Sequence, residues 1–359
     1  MKAWQETSLL LTEAARLAAA GRGAAIATVV RIRGSAYRRP GAKLLVADDG
    51  AMSGGVSGGC LELDVREAAL KVIRGAAPHL ARYDTGSDEN QVWGLGLGCN
   101  GMVEVLIDHA SALDPALIRA RELLAGDRAF AIAKVIGAPG PIGATLIIEE
   151  KGPHTGSSGD AAADRAIVAA ARQRLSDGES GIVEVGERRI FVDVLLPPPR
   201  LIICGAGDDA MPLARIASSA GFRVTVADHR PGYLTQDRFP TATLFNGRPE
   251  AGLAALAPAA DSFVVIQTHS LAHDRNWARS AVESPAGYVG LLGPRERGAQ
   301  ILEELPAGAR DKVFAPVGLD LAAEGPEQIA VSIVAELLAV RAHRAPQHLR
   351  EREGAIHAG

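Results

Sequence analysis

The sequence predicts an α/β chain in which a duplicated α+β N-terminal domain precedes a Rossmann-like, doubly wound parallel sheet. Three observations predict it. A strand beginning at Arg200 runs into Gly205-Ala206-Gly207 and then a helix; the segment 25–46 recurs as 131–148; and Leu195-Leu196-Pro197-Pro198-Pro199-Arg200 separates the two regions. Three successive prolines continue neither a helix nor a central strand, so they form a short stiff connector. The boundaries read as 1–196 for the N-terminal domain, 197–345 for the second domain and 346–359 for a polar tail.

In the C-terminal region, Arg200 to Cys204 is an apolar strand, and Gly205-Ala206-Gly207-Asp208-Asp209-Ala210 is the alanine-ended form of the G-x-G-x-x-G dinucleotide fingerprint. The glycines permit a tight turn and close approach of a phosphate. The helix behind them offers free amides at the positive end of its dipole. Gly221 stops that helix, and Phe222–Ala227 is the next strand. Asp228 closes it, where an acid meets a ribose hydroxyl in such folds. Asp208 and Asp209, in contrast, stand where phosphate would approach and would repel it. Further strands are expected at about 242–245, 262–267, 287–291 and 312–315, with a last helix from Pro326 to Arg341. The unusual residues cluster just past strand ends: Gly205 and Gly207, Asp228 and Arg230, Thr268 and His269, Gly293 and Arg295, Gly318 and Asp320. In an open parallel sheet those ends line one crevice. A side chain added at Gly205 is expected to block a ligand there and leave the fold intact.

The N-terminal repeat spans about 22–110 and 128–196. Ala25-Ile26-Ala27-Thr28-Val29-Val30 matches Ala131-Ile132-Ala133-Lys134-Val135-Ile136, and Gly41 to Val46 matches Gly143 to Ile148. Each half reads as a hairpin, a Gly/Ser loop, a helix (about 60–74 and 161–175) and further strands. The halves differ in their glycine clusters. The first carries Ser57-Gly58-Gly59-Cys60-Leu61-Glu62 and Gly96-Leu97-Gly98-Cys99-Asn100-Gly101; the second has only Gly156-Ser157-Ser158-Gly159-Asp160. A framework kept twice with special residues kept once places the site in the first half.

Composition narrows the function classes. Hydrophobic residues at 47% supply a core for each domain, and a net charge of −4 gives no general attraction to nucleic acid or anionic membrane. The first twenty residues form an amphipathic helix interrupted by Glu6 and Glu13, not a signal peptide, and no stretch is long and apolar enough for a membrane span. Three scattered cysteines suit a reducing cytoplasm better than a disulfide framework. There is no metal-ligand spacing, no P-loop and no G-x-S-x-G elbow, so no metal and no catalytic residue is assigned.

Cys60 and Cys99 carry the chemistry that the N-terminal sequence suggests. Cys60 opens a predicted helix, where the dipole favours a thiolate, and glycines beside each cysteine let a ligand reach the backbone. A free cysteine is more commonly a small buried hydrophobe, but the glycine directly before each, within a glycine-rich cluster, favours function. The two are expected to lie close together. Cys204, inside a strand, reads as core. Arg33, Arg38 and Arg39 in a Gly/Pro loop suit either an anion or solvent.

Taken together, these motifs resemble the XdhC/CoxI family, the accessory proteins of xanthine dehydrogenase and related molybdenum hydroxylases. The resemblance rests on Gly58-Gly59-Cys60-Leu61-Glu62, Gly96 to Gly101, Gly205-Ala206-Gly207, Asp228-His229-Arg230, Thr268-His269 with Asp274, Gly290-Leu291-Leu292-Gly293, Pro316 to Asp320 and Ile329 to Ile333. It implies a cytoplasmic chaperone, working as a homodimer, that binds molybdenum cofactor (molybdopterin, with or without a nucleotide). The chaperone would support sulfuration of the cofactor with a cysteine desulfurase and insert it into the apo molybdenum hydroxylase. Cofactor-binding residues would be Cys60, Cys99, Gly58, Gly59, Glu62 and Asn100, with the crevice residues named above. The chain departs from the family's usual histidine at Asp208 and from its usual serine at Pro294. The alternative is an NAD(P)-dependent oxidoreductase with the N-terminal half as substrate domain.

Overall fold

The computed structural model describes residues 2–34, 38–84, 101–111 and 114–353. They fall into two compact units, Met1–Pro197 and Pro198–Gly359.

The first unit contains α1 (Lys2–Ala19), β1 (Ala24–Gly34), β2 (Lys43–Ala47), β3 (Met52–Gly54), α2 (Glu62–Ile73), β4 (His79–Asp84) and β5 (Gly101–His109). It continues with α3 (Pro115–Ala125), β6 (Phe130–Val135), β7 (Thr145–Glu149), β8 (Thr155–Gly156), α4 (Ala161–Asp177), β9 (Gly181–Val185) and β10 (Arg188–Leu195). The strands form two five-stranded antiparallel sheets of matching order, β3-β2-β1-β5-β4 and β8-β7-β6-β10-β9. The domain is therefore built from one α+β unit used twice.

Strand alternation assigns each sheet an outer and an inner face. Ala25, Ala27, Val29, Leu44, Val46, Val105 and Ile107 pack outward against α2, as Ala131, Ala133, Leu146, Ile148, Val192 and Val194 do against α4. The alternate residues Ile26, Leu45, Ile132, Ile147 and Leu195 face a shared core with α1 and α3, where Trp4 meets Phe130 edge-on at 6.0 Å. A smaller cluster joins corresponding residues of the two halves: Val30 with Ile136, and Leu106 with Phe191.

The inner faces also bury four charges. Thr28 lies opposite Lys43 in the first half and Lys134 opposite Thr145 in the second, so lysine and threonine have exchanged strands between halves. Asp108 and Asp193 hold equivalent places, opposite Ile26 and Ile132. Each lysine reaches the aspartate of the other half. Lys43 Nζ donates to Asp193 Oδ2 at 2.5 Å, to Thr7 Oγ1 and to the Gly41 carbonyl; Lys134 Nζ donates to Asp108 Oδ2 and Thr145 Oγ1. All four side chains are 8% exposed or less. Burial pushes the Asp108 carboxyl up, opposed by Lys134. A third pair, Arg189 with Glu104 at 3.3 Å, also crosses between the halves.

In the second unit β11 (Arg200–Cys204), α5 (Ala210–Ser219), β12 (Arg223–Asp228), β13 (Thr243–Asn246), α6 (Pro249–Leu256) and β14 (Phe263–Ile266) come first. They are followed by α7 (Leu271–Glu283), β15 (Tyr288–Leu291), α8 (Arg295–Glu304), β16 (Val313–Phe314) and α9 (Gly325–Arg341). The sheet order is β13-β12-β11-β14-β15-β16 with every pairing parallel, the doubly wound Rossmann arrangement. Leu201 and Ile203 face a core with α5 and α9, while Ile202 and Cys204 face one with α7. Cys204 is fully buried, and burial pushes its thiol well up.

Removing one partner of a buried pair leaves the other charge stranded, which costs roughly 3–5 kcal/mol. Lys43→Met is therefore expected to lower stability by about 3 kcal/mol, and Lys43→Met with Asp193→Leu to recover most of it. Denaturant unfolding of the two variants checks this. A loss well under 1 kcal/mol in the single variant would show that the pair does not join the halves.

Candidate functional site

The loop before α2 is held by an acid from the helix it precedes. Glu62 Oε1 accepts from the amides of Val56 (3.2 Å) and Ser57 (2.9 Å), and Glu62 Oε2 accepts from Ser57 Oγ. Burial pushes the Glu62 carboxyl up, but the Ser57 hydroxyl and the loop amides outweigh it and hold it below the usual range. Ser57 Oγ in turn accepts from the amides of Gly59 and Leu61, each at 3.1 Å. The helix starts later than expected: Cys60, expected to open it, and Leu61 stay outside it. Arg38 braces the loop from its far side, with Nε on the Gly55 carbonyl at 3.0 Å and Nη2 on both oxygens of Glu6 at 2.8 Å. Gly59 has φ +116, and nothing lies within 4 Å of where its Cβ would be. Gly58 and Gly59 are exposed and Cys60 is half-buried. Cys99 and Asn100 lie outside the described residues, and so does the expected proximity of Cys60 to Cys99.

The second half has a corresponding loop, braced by an acid two positions further along its helix. Ser157 Oγ accepts from the Gly159 amide at 3.0 Å, and Asp164 takes Ser157 Oγ, Ser158 Oγ and the Ser158 amide. Ser57-Gly58-Gly59-Cys60 thus corresponds to Ser157-Ser158-Gly159-Asp160. Asp160 caps α4, accepting from Ala162 (2.9 Å) and Ala163 (3.3 Å), and pairs with Arg188. Cys60 stands in its place, and α2 begins after Leu61 with no side-chain cap.

In the second unit the expected crevice residues gather at the ends of β11, β12 and β14. A Cβ on Gly205 (φ +116) would lie 2.5 Å from the Gln267 carbonyl oxygen, so this glycine is required by the neighbouring strand end. Asp228, 4% exposed, is committed inside the protein. Its Oδ2 accepts from the Ala206 amide (2.8 Å) and Arg230 Nη2 (2.9 Å), and its Oδ1 from the amide and Nε of Arg230 (2.9 and 3.0 Å). The Arg230 guanidinium also lies over the Tyr233 ring at 4.0 Å. Burial pushes the Asp228 carboxyl up, yet Arg230 and the two amides outweigh it and bring it down to about 2. On β14's side, Asp274 accepts from the amide and hydroxyl of Thr268 and pairs with Arg297. His269 adopts φ +59 and bonds Asp209 Oδ2 through Nε2 at 2.8 Å. Gly293 lies against Arg297, its Cβ position 3.3 Å from that side chain's Cδ. Gly318 (φ +106) packs on α9: a Cβ there would meet Ser332 Oγ at 2.5 Å, and its amide donates to Glu336 at 3.0 Å. Arg295 and Asp320 are exposed on the surface.

Comparison with known proteins follows the same two regions. The model of the XdhC Rossmann domain matches residues 201–337, and that of the XdhC and CoxI family matches 17–84 and 123–186. A Bacillus subtilis protein named as a probable xanthine dehydrogenase subunit is 33% identical over 324 residues, covering 89% of this chain and 93% of that protein. The chain belongs to the XdhC/CoxI family. The Escherichia coli molybdenum cofactor insertion chaperone PaoD is 26% identical over 330 residues, 90% of this chain and 85% of its own. A crystal structure described as a xanthine dehydrogenase from Bacillus halodurans superposes with a TM-score of 0.78 at 30% identity, covering 93% of this chain and 96% of that one.

Several residues that organise this XdhC/CoxI chain are not singled out as site residues by sequence: Asp209, Asp274, Arg297 and Glu336. For Arg297 a signal exists. Arg297 lies one helical turn before the buried Ile301 of α8, whereas Arg295, at the helix start, is exposed. For Asp274 the signal is its place in the first turn of α7, six residues after Thr268.

Asp228 is depressed in the folded state, so its contribution is complete above about pH 4 and disappears as pH falls through 2; roughly 2 kcal/mol of stability is at stake. Acid unfolding of Asp228→Asn should start from a lower stability at pH 7 and show a flatter pH dependence in that window. Gly205→Ala is expected to lower stability by about 1–3 kcal/mol through strain, a cost that the expectation of an undisturbed fold leaves out, and an unchanged melting temperature would refute the backbone requirement.

Proposed function

We propose that this chain matures a molybdenum hydroxylase of the xanthine dehydrogenase type. It binds molybdenum cofactor as cargo, supports its sulfuration and inserts it into the apo-enzyme. A cysteine desulfurase is the second partner, the working form is a homodimer, and the compartment is the cytoplasm. One observation carries the reading: a relative named as a molybdenum cofactor insertion chaperone aligns across both units, over 90% of this chain.

The loop before α2 suits such a cargo. Its dithiolene sulfurs are soft, and a cysteine is the protein's softest partner for a sulfur-bearing metal group. Cys60 is half-buried beside two exposed glycines, and the space at Gly59 is open on the side where a Cβ would project. Glu62, Ser57 and Arg38 keep the loop in one shape, so they position Cys60 and need not touch the cargo. The first-turn amides of α2, unlike those of α4, have no side-chain cap and suit an anionic group on the cargo.

Cys60→Ala is expected to stay soluble, with a stability change of roughly 1 kcal/mol, and to stop activating its client. The paired measurement is the melting temperature of the variant, with the molybdenum content and activity of a hydroxylase matured by it. Near-wild-type client activity would remove Cys60 from the site. The reading as a whole is tested by the purified wild-type protein after expression with ample molybdate. Bound molybdenum and pterin support it, and bound nicotinamide cofactor would favour an NAD(P)-dependent oxidoreductase instead.

A further inference from the structure

The fingerprint turn after β11 has the backbone of a pyrophosphate cradle but not its emptiness. In such turns the second glycine exists so that nothing stands between the backbone and the phosphates. Here a carboxylate stands there. A Cβ built on Gly207 would lie 2.7 Å from Asp209 Oδ1 and 3.8 Å from the His269 ring, so Asp209 fills the space that this glycine opens. His269 holds it by Nε2 on Asp209 Oδ2 at 2.8 Å, and does so from a left-handed backbone, φ +59, that a residue with a side chain rarely adopts. Two neighbouring groups of the turn, at Ala206 and Asp208, are also engaged. The Ala206 amide donates to Asp228, and Arg238 Nη2 is shared between the Ala206 carbonyl (3.1 Å) and Asp208 Oδ1 (2.9 Å).

We propose that Asp209, clamped by His269, occupies the phosphate position of the turn and closes this Rossmann crevice to pyrophosphate-bearing dinucleotides. It is the residue that decides against such ligands, by taking up their space and by placing a negative charge where theirs would sit. The inference is independent of the cofactor-delivery reading. It applies to a nicotinamide dinucleotide and to a pterin dinucleotide alike, because both would bring a pyrophosphate to the same turn.

The full-length protein is titrated with NADH, followed by fluorescence, and with ADP, followed by calorimetry. Wild type is expected to show no saturable binding below about 1 mM, and Asp209→Ala to bind both at least about tenfold more tightly. Asp209→Asn, which keeps the shape and drops the charge, is expected to bind more tightly than wild type and more weakly than Asp209→Ala, and melting temperatures near wild type for both variants show that each is folded. Wild-type binding as tight as that of Asp209→Ala overturns the proposal. So does a folded Asp209→Ala that still fails to bind, because the turn would then be closed by something else.

Discussion

The N-terminal unit depends on an exchange. Each half contributes one lysine and one aspartate to the exchange, and each lysine meets its counter-charge in the other half. Four buried charges are tolerable only as pairs, because a lone charge out of water costs several kcal/mol. Lys43 with Asp193, and Lys134 with Asp108, therefore fix which face of each sheet looks inward. A one-residue slip in any of the four strands would send a charge to the wrong face. The register of the hairpins, the meeting of Val30 with Ile136 and Leu106 with Phe191, and the packing of α2 and α4 on the opposite faces all agree with that pairing.

The second unit handles its polar groups differently. At the ends of β11, β12 and β14 nearly every unusual side chain is engaged by a neighbour. Asp228 holds Ala206 and Arg230, Asp274 holds Thr268 and Arg297, and Asp209 holds His269. The carboxylates of Asp228 and Asp274 in particular, both buried, are turned to the protein's own groups.

The fold was legible because its signals are local. A strand, Gly205-Ala206-Gly207 and a helix form one continuous stretch, and hairpin alternation survives in both halves of the repeat. The exchange of charges was not legible. Lys43 and Asp193 are 150 residues apart, and the move of lysine from β2 to β6 between halves hides the correspondence from any residue-by-residue match. The site was half legible for the same reason. Spacing alone placed Asp228 at a ribose and Gly205 beneath a phosphate, whereas the Ala206 amide and the Gln267 carbonyl that claim them come into view only when the chain is folded. The two glycines before it point to Cys60, but the neighbouring Glu62 commits its carboxylate to the loop itself.

The repeated domain also contains its own reference. The α4 end shows how this loop is finished when stability alone is served: an aspartate closes the helix, a contribution of about 1 kcal/mol. At α2 the same architecture is left unfinished, with a thiol where the carboxylate would be. One copy can carry an imperfect helix end because its twin, joined to it through buried charges, helps keep both folded. Under the proposed function, duplication divides labour within a single chain, one half finishing its helix end with a carboxylate and the other keeping a thiol at the same place.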